Sequence, residues 1–180
     1  MTSLEQNLVR YAAYHRDRRN ISIHLAGIPM IVFAVVLALD TAVFTVAGWT
    51  VSVAALISVA ACAYYIALDV RLGIAMAVTL FLMCAGASEA HARLGTPGTL
   101  GVALVVFIVG WALQFLGHKY EGVKPAFFDD LRQLLIGPLF VCAEVAFLIG
   151  LRTALRHTIE QQVGPTAARR DGAPLPLAPH

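Results

Sequence analysis

Three histidines and one glutamate lie near the ends of apolar segments, in a spacing that suits metal chemistry. His118 and Glu121 are three residues apart, which on a helix places both side chains within about 60° on one face. His15 and His24 are nine residues apart and would face opposite ways on an unbroken helix, so a joint site requires a break between them. Neutral imidazoles with a carboxylate suit Fe(II), Mn or Zn, and two histidines with one carboxylate are typical of oxygen-activating non-haem iron. These four side chains are therefore candidate metal ligands.

Several other polar residues have both a functional and a plainer interpretation. Asn20 and Gln114 can orient metal ligands, although an asparagine near a helix start is often only a cap, and Asn20 or Ser22 can cap a helix that restarts after the break. Glu144 lies in the apolar run VCAEVAFLIG, where an ionisable group is costly enough to suggest function, or is a protonated carboxyl bonded to backbone. Each histidine alone can also be a polar anchor at a membrane interface. Their clustering favours the metal interpretation.

The composition indicates an integral membrane protein. Hydrophobic residues make up 59% of the chain and charged residues only 13%, with mean hydropathy +0.75, whereas about 25% of the residues in an average soluble domain are charged. The net charge of +2 and the scattered basic residues exclude a nucleic-acid partner. The three cysteines lie inside apolar runs without metal or disulfide spacing and carry no redox or zinc signal: Cys62, Cys84 and Cys142.

The apolar runs predict an all-α, polytopic transmembrane bundle. Four segments are long enough to be full spans, at about 21–39, 51–68, 72–88 and 100–117. A fifth run at 131–151 is interrupted by Gly137-Pro138, so we expect it to re-enter or lie at the interface, with a full crossing as the alternative. No barrel-type alternation is present, which leaves helices as the spanning elements.

Basic residues predict the orientation and the domain limits. Four arginines precede the first span and none lies in the 40–50 loop, so the N-terminus is expected to be cytoplasmic. That topology brings His15, His24 and His118 to one depth on the cytoplasmic side. We therefore divide the chain into an N-terminal cytoplasmic helix at 1–20 carrying His15, a catalytic bundle at 21–151, and a charged, Pro-rich tail at 152–180 expected to be disordered. Abundant alanine and an excess of arginine over lysine indicate a bacterial source with a GC-rich genome, hence the bacterial cytoplasmic membrane.

Two blocks of the sequence resemble one known family. They are YHRDRRNISIHLAGIP near the N-terminus and LQFLGHKYEGVKPAFFDDLRQLLIGPLFVCAEV near the C-terminus. In this order they resemble the iron-dependent 2-hydroxy fatty acid dioxygenases of membranes, known from α-oxidation of the phytosphingosine-derived acid in yeast. The resemblance extends from about Tyr11 to Glu144 and implies an Fe(II) enzyme. Such an enzyme takes a 2-hydroxy fatty acid and O2, releases one carbon and leaves the shortened fatty acid, without 2-oxoglutarate.

The resemblance also implies roles for individual residues. Its HR-x-x-x-N-x-x-x-H pattern falls on His15, Arg16, Asn20 and His24, and its second block falls on Gln114, Gly117, His118, Glu121 and Pro125. The three histidines are the implied iron ligands, while Glu121 is a fourth ligand, a residue that orients ligands, or a base. Arg16 is a candidate to pair with the substrate carboxylate, or is an anchor on the positively charged side of the membrane.

Other functional classes fit the sequence less well. A zinc or di-iron hydrolase or desaturase would need HxxxH or HxxHH clusters, which are absent from the sequence. A small transporter would relay protons through Glu144 and the histidines, but carriers bind substrate near the midplane and these polar groups lie at helix ends. A scaffold without chemistry would not require the histidine cluster. The oligomeric state stays open.

Overall fold

The computed structural model describes residues 1–167 and is mostly helical. In chain order the elements are α1 (Ser3–Ala12), α2 (Arg18–Asp40), β1 (Val43–Val46), β2 (Trp49–Ser52), α3 (Val53–Leu68), α4 (Val70–Glu121), a 3₁₀ turn (Ala126–Phe128), α5 (Gln133–Leu148) and α6 (Thr153–Val163). The described residues form two compact units, one made of Met1–Ile28 with residues 112–167, the other of Pro29–Trp111. The predicted helical fold is confirmed, with one small hairpin added.

A capping box begins α1. The Thr2 hydroxyl accepts a hydrogen bond from Glu5 N at 3.2 Å, and the Glu5 carboxylate accepts one from Thr2 N at 2.7 Å. The helix packs on α5 and α6. Its buried residues recur at helical spacing and form one face: Leu4, Leu8, Tyr11 and Ala12.

The chain breaks between α1 and α2, as the spacing of the two N-terminal histidines requires. His15 lies in this connection, residues 13–17, and not on a helix extending to residue 20. Asp17 caps α2, because its Oδ1 accepts a hydrogen bond from Arg19 N at 2.7 Å. The predicted caps lie inside α2 instead and do not start it: Asn20 and Ser22.

A single glycine replaces the loop expected between the third and fourth predicted spans. Gly95 is the non-helical residue within α4, with φ 64° and ψ 176°, a region nearly restricted to glycine. Helical backbone continues up to it through the polar stretch 89–93, where Arg93 pairs with Glu89 one turn earlier at 2.5 Å. The prediction of a loop between residues 88 and 100 is therefore wrong.

A short hairpin occupies the loop predicted at 40–50. β1 and β2 pair antiparallel, from Val43 opposite Ser52 to Val46 opposite Trp49. The β-branched and aromatic residues of VFTV and WTVS favour strand over coil.

The unit Pro29–Trp111 has its own small core and a polar cluster. Buried Asp40 accepts a hydrogen bond from the Ser88 hydroxyl at 3.2 Å and lies 3.7 Å from Nδ1 of His91. These residues link the end of α2 to α4. The core residues are mostly small: Val36, Leu37, Ala54, Ala87 and Ala103.

The C-terminal helices differ from the sequence prediction in two respects. α5 runs through Gly137-Pro138, and the break comes instead after residue 148, where α5 and α6 are bent by 114°. The helix tolerates the lost backbone bond because residues on both sides of the proline are buried. The disorder predicted from residue 152 is wrong over Thr153–Val163, which is α6; residues 168–180 of the predicted tail lie outside the described residues.

Two helices of the described chain, α2 and α4, are long and apolar enough to cross a membrane. The number of candidate spans rises to three if the bent α5–α6 pair is counted as one span. α3 is apolar but has only 16 residues. Length and composition thus support a helical membrane protein, with fewer clear spans than the four predicted.

The backbone of Gly95 generates a stability prediction. Gly95→Ala places a Cβ where φ is 64° and should lower the free energy of unfolding by about 1–3 kcal/mol. Chemical unfolding in detergent measures the change. The matched control is Gly101→Ala in the same helix, where an added Cβ meets nothing within 4 Å and helix propensity should keep or raise stability. Equal stability of the two variants would contradict the assignment.

Candidate metal centre

Three histidines converge from three places in the chain. His15 comes from the connection before α2, His24 from the second turn of α2, and His118 from the last turn of α4. One ligand nitrogen from each lies within 4.8 Å of the other two. Their ring centroids are 4.7–5.0 Å apart, and all three side chains are buried. The structure thus brings together the three histidines that the sequence grouped.

Backbone carbonyls fix the tautomers of two of these rings. Nδ1 of His15 lies 2.7 Å from Tyr11 O, and Nδ1 of His24 lies 3.0 Å from Asn20 O. A carbonyl only accepts, so each Nδ1 carries the proton and, in the neutral rings, each Nε2 keeps its lone pair. The two Nε2 atoms are 3.3 Å apart. Two lone pairs at this distance favour a shared cation, since each ring already has the outer hydrogen bond typical of a metal-bound histidine.

Burial keeps the His15 ring neutral. Loss of solvent lowers the pKa of His15 well below its ordinary value, and the neighbouring His24 and His118 lower it further. A metal binds the deprotonated imidazole, so this environment suits binding near neutral pH. Three such imidazoles form a donor set that fits Fe(II) or Zn(II).

An aromatic side chain that the sequence did not single out holds the first ligand in place. The Tyr11 ring stacks on His15 with centroids 4.2 Å apart and an interplanar angle of 1°. Phe140 of α5 packs against both rings, at 4.8 Å and 5.7 Å. Tyr11 is four residues before His15 and is also the residue whose carbonyl bonds its Nδ1, so the i, i+4 spacing was the available signal.

Glu121 ties the end of α4 to the start of α2. Its Oε1 accepts a hydrogen bond from Arg16 N at 2.9 Å, and its Oε2 accepts from Asp17 N at 2.8 Å and from Asn20 Nδ2 at 2.9 Å. The side chain is fully buried. Among the described residues, the group of side chains close enough to share a metal contains the histidines without this carboxylate. Of the roles left open by the sequence, this geometry favours orienting the ligands.

Asp17 is a second carboxylate of the site that the sequence interpretation missed. It is fully buried, caps α2 and pairs with Arg19 through Oδ2 and Nη2 at 2.9 Å. The Arg19 guanidinium also lies 4.7 Å from the centre of the Tyr120 ring, beside Glu121 in the chain. Tyr11 on one side and Asp17 on the other therefore hold the connection that carries His15.

Two buried amides near the histidines keep unused hydrogen-bonding capacity. Within residues 1–167, Asn20 Oδ1 and Gln114 Nε2 have no hydrogen-bond partner, although both atoms are buried. Gln114 lies one turn before His118 on α4. A buried polar atom without a hydrogen-bond partner costs free energy of folding, so these two atoms are candidates for binding a ligand.

A glycine makes room for this arrangement. A Cβ on Gly117 would lie 2.9 Å from both Cε1 and Nδ1 of His24, and closer still to Oδ1 of Asn20. Any larger residue would have to displace a ring or an amide. The close approach of α4 to α2 therefore depends on the absence of a side chain here.

The side chains of the other two residues predicted at the site, Arg16 and Glu144, lie outside the histidine cluster. The Arg16 Nε donates to Ala12 O and His15 O, each at 2.9 Å, and its Nη1 donates to Gly164 O at 2.9 Å. Arg16 and Glu144 line a separate cavity, whose described lining residues include none of the three histidines. The role predicted for Arg16 at the substrate carboxylate and the catalytic role predicted for Glu144 stay predictions, and this geometry does not support either of them at the histidine cluster.

The crowding at Gly117 yields a test of the site. Gly117→Ala should weaken Co(II) binding by about 10–100-fold, because the methyl group displaces His24 or Asn20. Visible absorption during Co(II) titration of the detergent-purified protein measures the affinity. Gly86→Ala, whose Cβ would make only ordinary contacts at 3.7 Å and beyond, is the control. Unchanged affinity in Gly117→Ala would contradict the role given to this glycine.

Comparison with known proteins supports the resemblance noted in the sequence. The sequence model of the Mpo1-like family, described as 2-hydroxy-palmitic acid dioxygenase Mpo1-like, matches residues 1–149. The 2-hydroxy-palmitic acid dioxygenase MPO1 of Saccharomyces cerevisiae is 28% identical over 165 residues, which cover 91% of each chain. No solved structure matches the chain. Because the match spans most of its length and includes all three clustered histidines, this chain belongs to the Mpo1-like family.

Proposed function

We propose that the chain is a membrane dioxygenase that converts a 2-hydroxy fatty acid and O2 into the fatty acid one carbon shorter, with Fe(II) bound by His15, His24 and His118. The observation that carries the proposal is the convergence of three buried imidazoles, two of which, His15 and His24, bring their Nε2 atoms within 3.3 Å of each other. The activity named for the yeast relative supports the choice of substrate class.

The overall reaction balances without a further reductant. A 2-hydroxy acid and one O2 give the shorter acid, CO2 and water, so the substrate supplies all the electrons that reduce oxygen. This stoichiometry requires neither 2-oxoglutarate nor an electron-transfer partner. It predicts O2 consumption equal to product formation.

The chain's own residues provide positions for the ion and for the polar end of the substrate. A bound Fe(II) would supply Lewis acidity and one-electron chemistry toward O2, and three protein ligands leave coordination positions open. We assign Gln114 Nε2 as a donor to the substrate carboxylate and Asn20 Oδ1 as an acceptor for its 2-hydroxyl, because both buried atoms lack partners among the described residues. Glu121 and Asp17 hold the His15 connection in place.

The apolar helices suit a substrate that resides in the bilayer. We propose four crossings, by α2, α3 and the two parts of α4 on either side of Gly95. Many large apolar side chains of these helices are exposed, including Val59, Phe81 and Val105, and lipid is the solvent that such a surface requires. We propose that the metal centre lies on the cytoplasmic side of a bacterial cytoplasmic membrane, an orientation supported by the four arginines that precede the first apolar run.

Metal content and turnover test the proposed function together. Detergent-purified protein loaded anaerobically with Fe(II) should hold about one iron per chain and convert 2-hydroxypalmitate and O2 to pentadecanoate. His15→Ala, His24→Ala and His118→Ala should each lose most of both properties. The control is His157→Ala, an exposed histidine on α6. Absence of bound iron and of product in the wild-type protein would overturn the proposal.

Glu121 can be tested separately from the metal. Glu121→Gln turns an amide N–H toward backbone N–H donors, so it should lower the free energy of unfolding by about 1–3 kcal/mol even without metal. Chemical unfolding of chelator-treated protein measures this loss, with exposed Glu89→Gln as the control. If metal-free stability stays the same and only iron binding falls, Glu121 is a ligand instead of a positioning residue.

A further inference from the structure

A second cavity lies beside the metal centre. It has a volume of about 370 Å³ and is bounded by the start of α2, the end of α5 and one face of α6. This volume falls within the range of small-molecule sites, roughly 300–1,000 Å³. The proposed metal chemistry does not explain this cavity, because its described lining residues include none of the three histidines.

The charged part of the lining is an arginine cluster. Arg16, Arg18 and Arg156 all line the cavity, opposed by Glu144 and Glu160. Arg156 is already paired with Glu160 at 2.8 Å. This leaves two guanidinium groups facing Glu144, a local excess of positive charge.

Arg16 is fixed in place and still has donors available. Its side chain is only 7% exposed, and three backbone carbonyls, those of Ala12, His15 and Gly164, hold Nε and Nη1. A guanidinium has five N–H groups, and among the described residues the other N–H groups of Arg16 bond no acceptor, so they can bond an oxyanion without losing these contacts. Within residues 1–167, the Arg18 guanidinium has no bonded acceptor and is exposed. A preorganised fork of this kind suits a carboxylate or a phosphate.

Apart from Ser22 and Thr166, the rest of the lining is apolar. Side chains from all three helices form this wall: Ile21, Leu25, Phe147, Leu148 and Ile159. An arginine cluster beside an apolar wall is complementary to an oxyanion attached to an acyl chain. A small soluble anion would leave the wall unused.

We propose that this cavity binds the oxyanion end of an anionic amphiphile, with Arg16 and Arg18 on the charged group and the apolar wall on the first part of its acyl chain. Free fatty acid and anionic phospholipid share this chemistry. The proposal does not depend on iron or on turnover.

The charges predict effects of opposite sign. Arg18→Gln should weaken binding about ten-fold, the usual scale for losing a charged hydrogen bond. Ser22→Trp should also weaken binding, because exposed Ser22 lines the cavity and a large ring there fills it. Glu144→Gln should instead strengthen binding, because it removes the carboxylate that repels the ligand. Arg71→Gln, an exposed arginine outside the lining, is the control.

The experiment uses the full chain, stripped of metal by a chelator, in neutral phosphatidylcholine nanodiscs. Equilibrium binding of radiolabelled palmitate, which lacks the 2-hydroxyl, is measured in one arm. In the other, native mass spectrometry detects retained phosphatidylglycerol. Thermal unfolding of each variant confirms that it is folded.

Each outcome decides the proposal. Binding of either lipid with the opposite responses of Arg18→Gln and Glu144→Gln supports it, and the arm that responds identifies the source of the oxyanion. Binding of neither lipid, or binding that all three cavity variants leave unchanged, overturns it. Because no iron is present, failure here leaves the dioxygenase proposal intact, and failure of turnover leaves this binding result intact.

Discussion

The carboxylate of Glu121 is the contact on which the candidate metal centre depends. It accepts three N–H groups from the first residues of α2 and the residues just before it, while His118 precedes it by three positions on α4. One side chain therefore relates the two segments that carry the three histidines. A buried carboxylate with this many donors is strongly fixed, because every alternative leaves N–H groups unpaired in an apolar environment.

Rigid support of this kind is what a reactive metal site requires. The two N-terminal histidines have their outer nitrogens bonded to carbonyls one turn earlier, Tyr11 stacks on His15, and Gly117 allows close approach of α4. Each feature limits how far a ligand nitrogen can move, and small displacements of ligands cost affinity and rate. The same segment also extends to Arg16, whose side chain faces the second cavity. The candidate metal centre and this cavity thus share one short stretch of chain, the connection before α2, which carries both His15 and Arg16.

Much of this centre could be predicted because few arrangements satisfy the sequence. The spans and the orientation predicted from the sequence put His15, His24 and His118 at one depth, and the nine-residue spacing of the first two predicts the break that the structure has. The substrate class and the choice of iron were predicted from the family resemblance, because the periodicity of the sequence gives neither.

Asp17 was missed because helix starts favour several residue types, so the sequence does not say which residue caps the helix. The loop predicted between residues 88 and 100 was wrong because the polar residues 89–93 suggested a loop, whereas they are helical and Arg93 pairs with Glu89 one turn earlier. The sequence offered Arg16 either to the substrate carboxylate or as a membrane anchor. It could not show that one of the three carbonyls holding its guanidinium belongs to Gly164, 148 residues away in the chain.

The central claim is that three imidazoles bind one iron ion, and X-ray absorption at the iron edge tests it most directly. Anaerobic Fe(II)-loaded protein should show a first shell of nitrogen and oxygen at about 2.0–2.2 Å, with the multiple scattering of three imidazole rings. His118→Ala should retain the scattering of two rings at most. A shell without imidazole scattering, or one identical in the wild-type protein and in His118→Ala, would contradict the account.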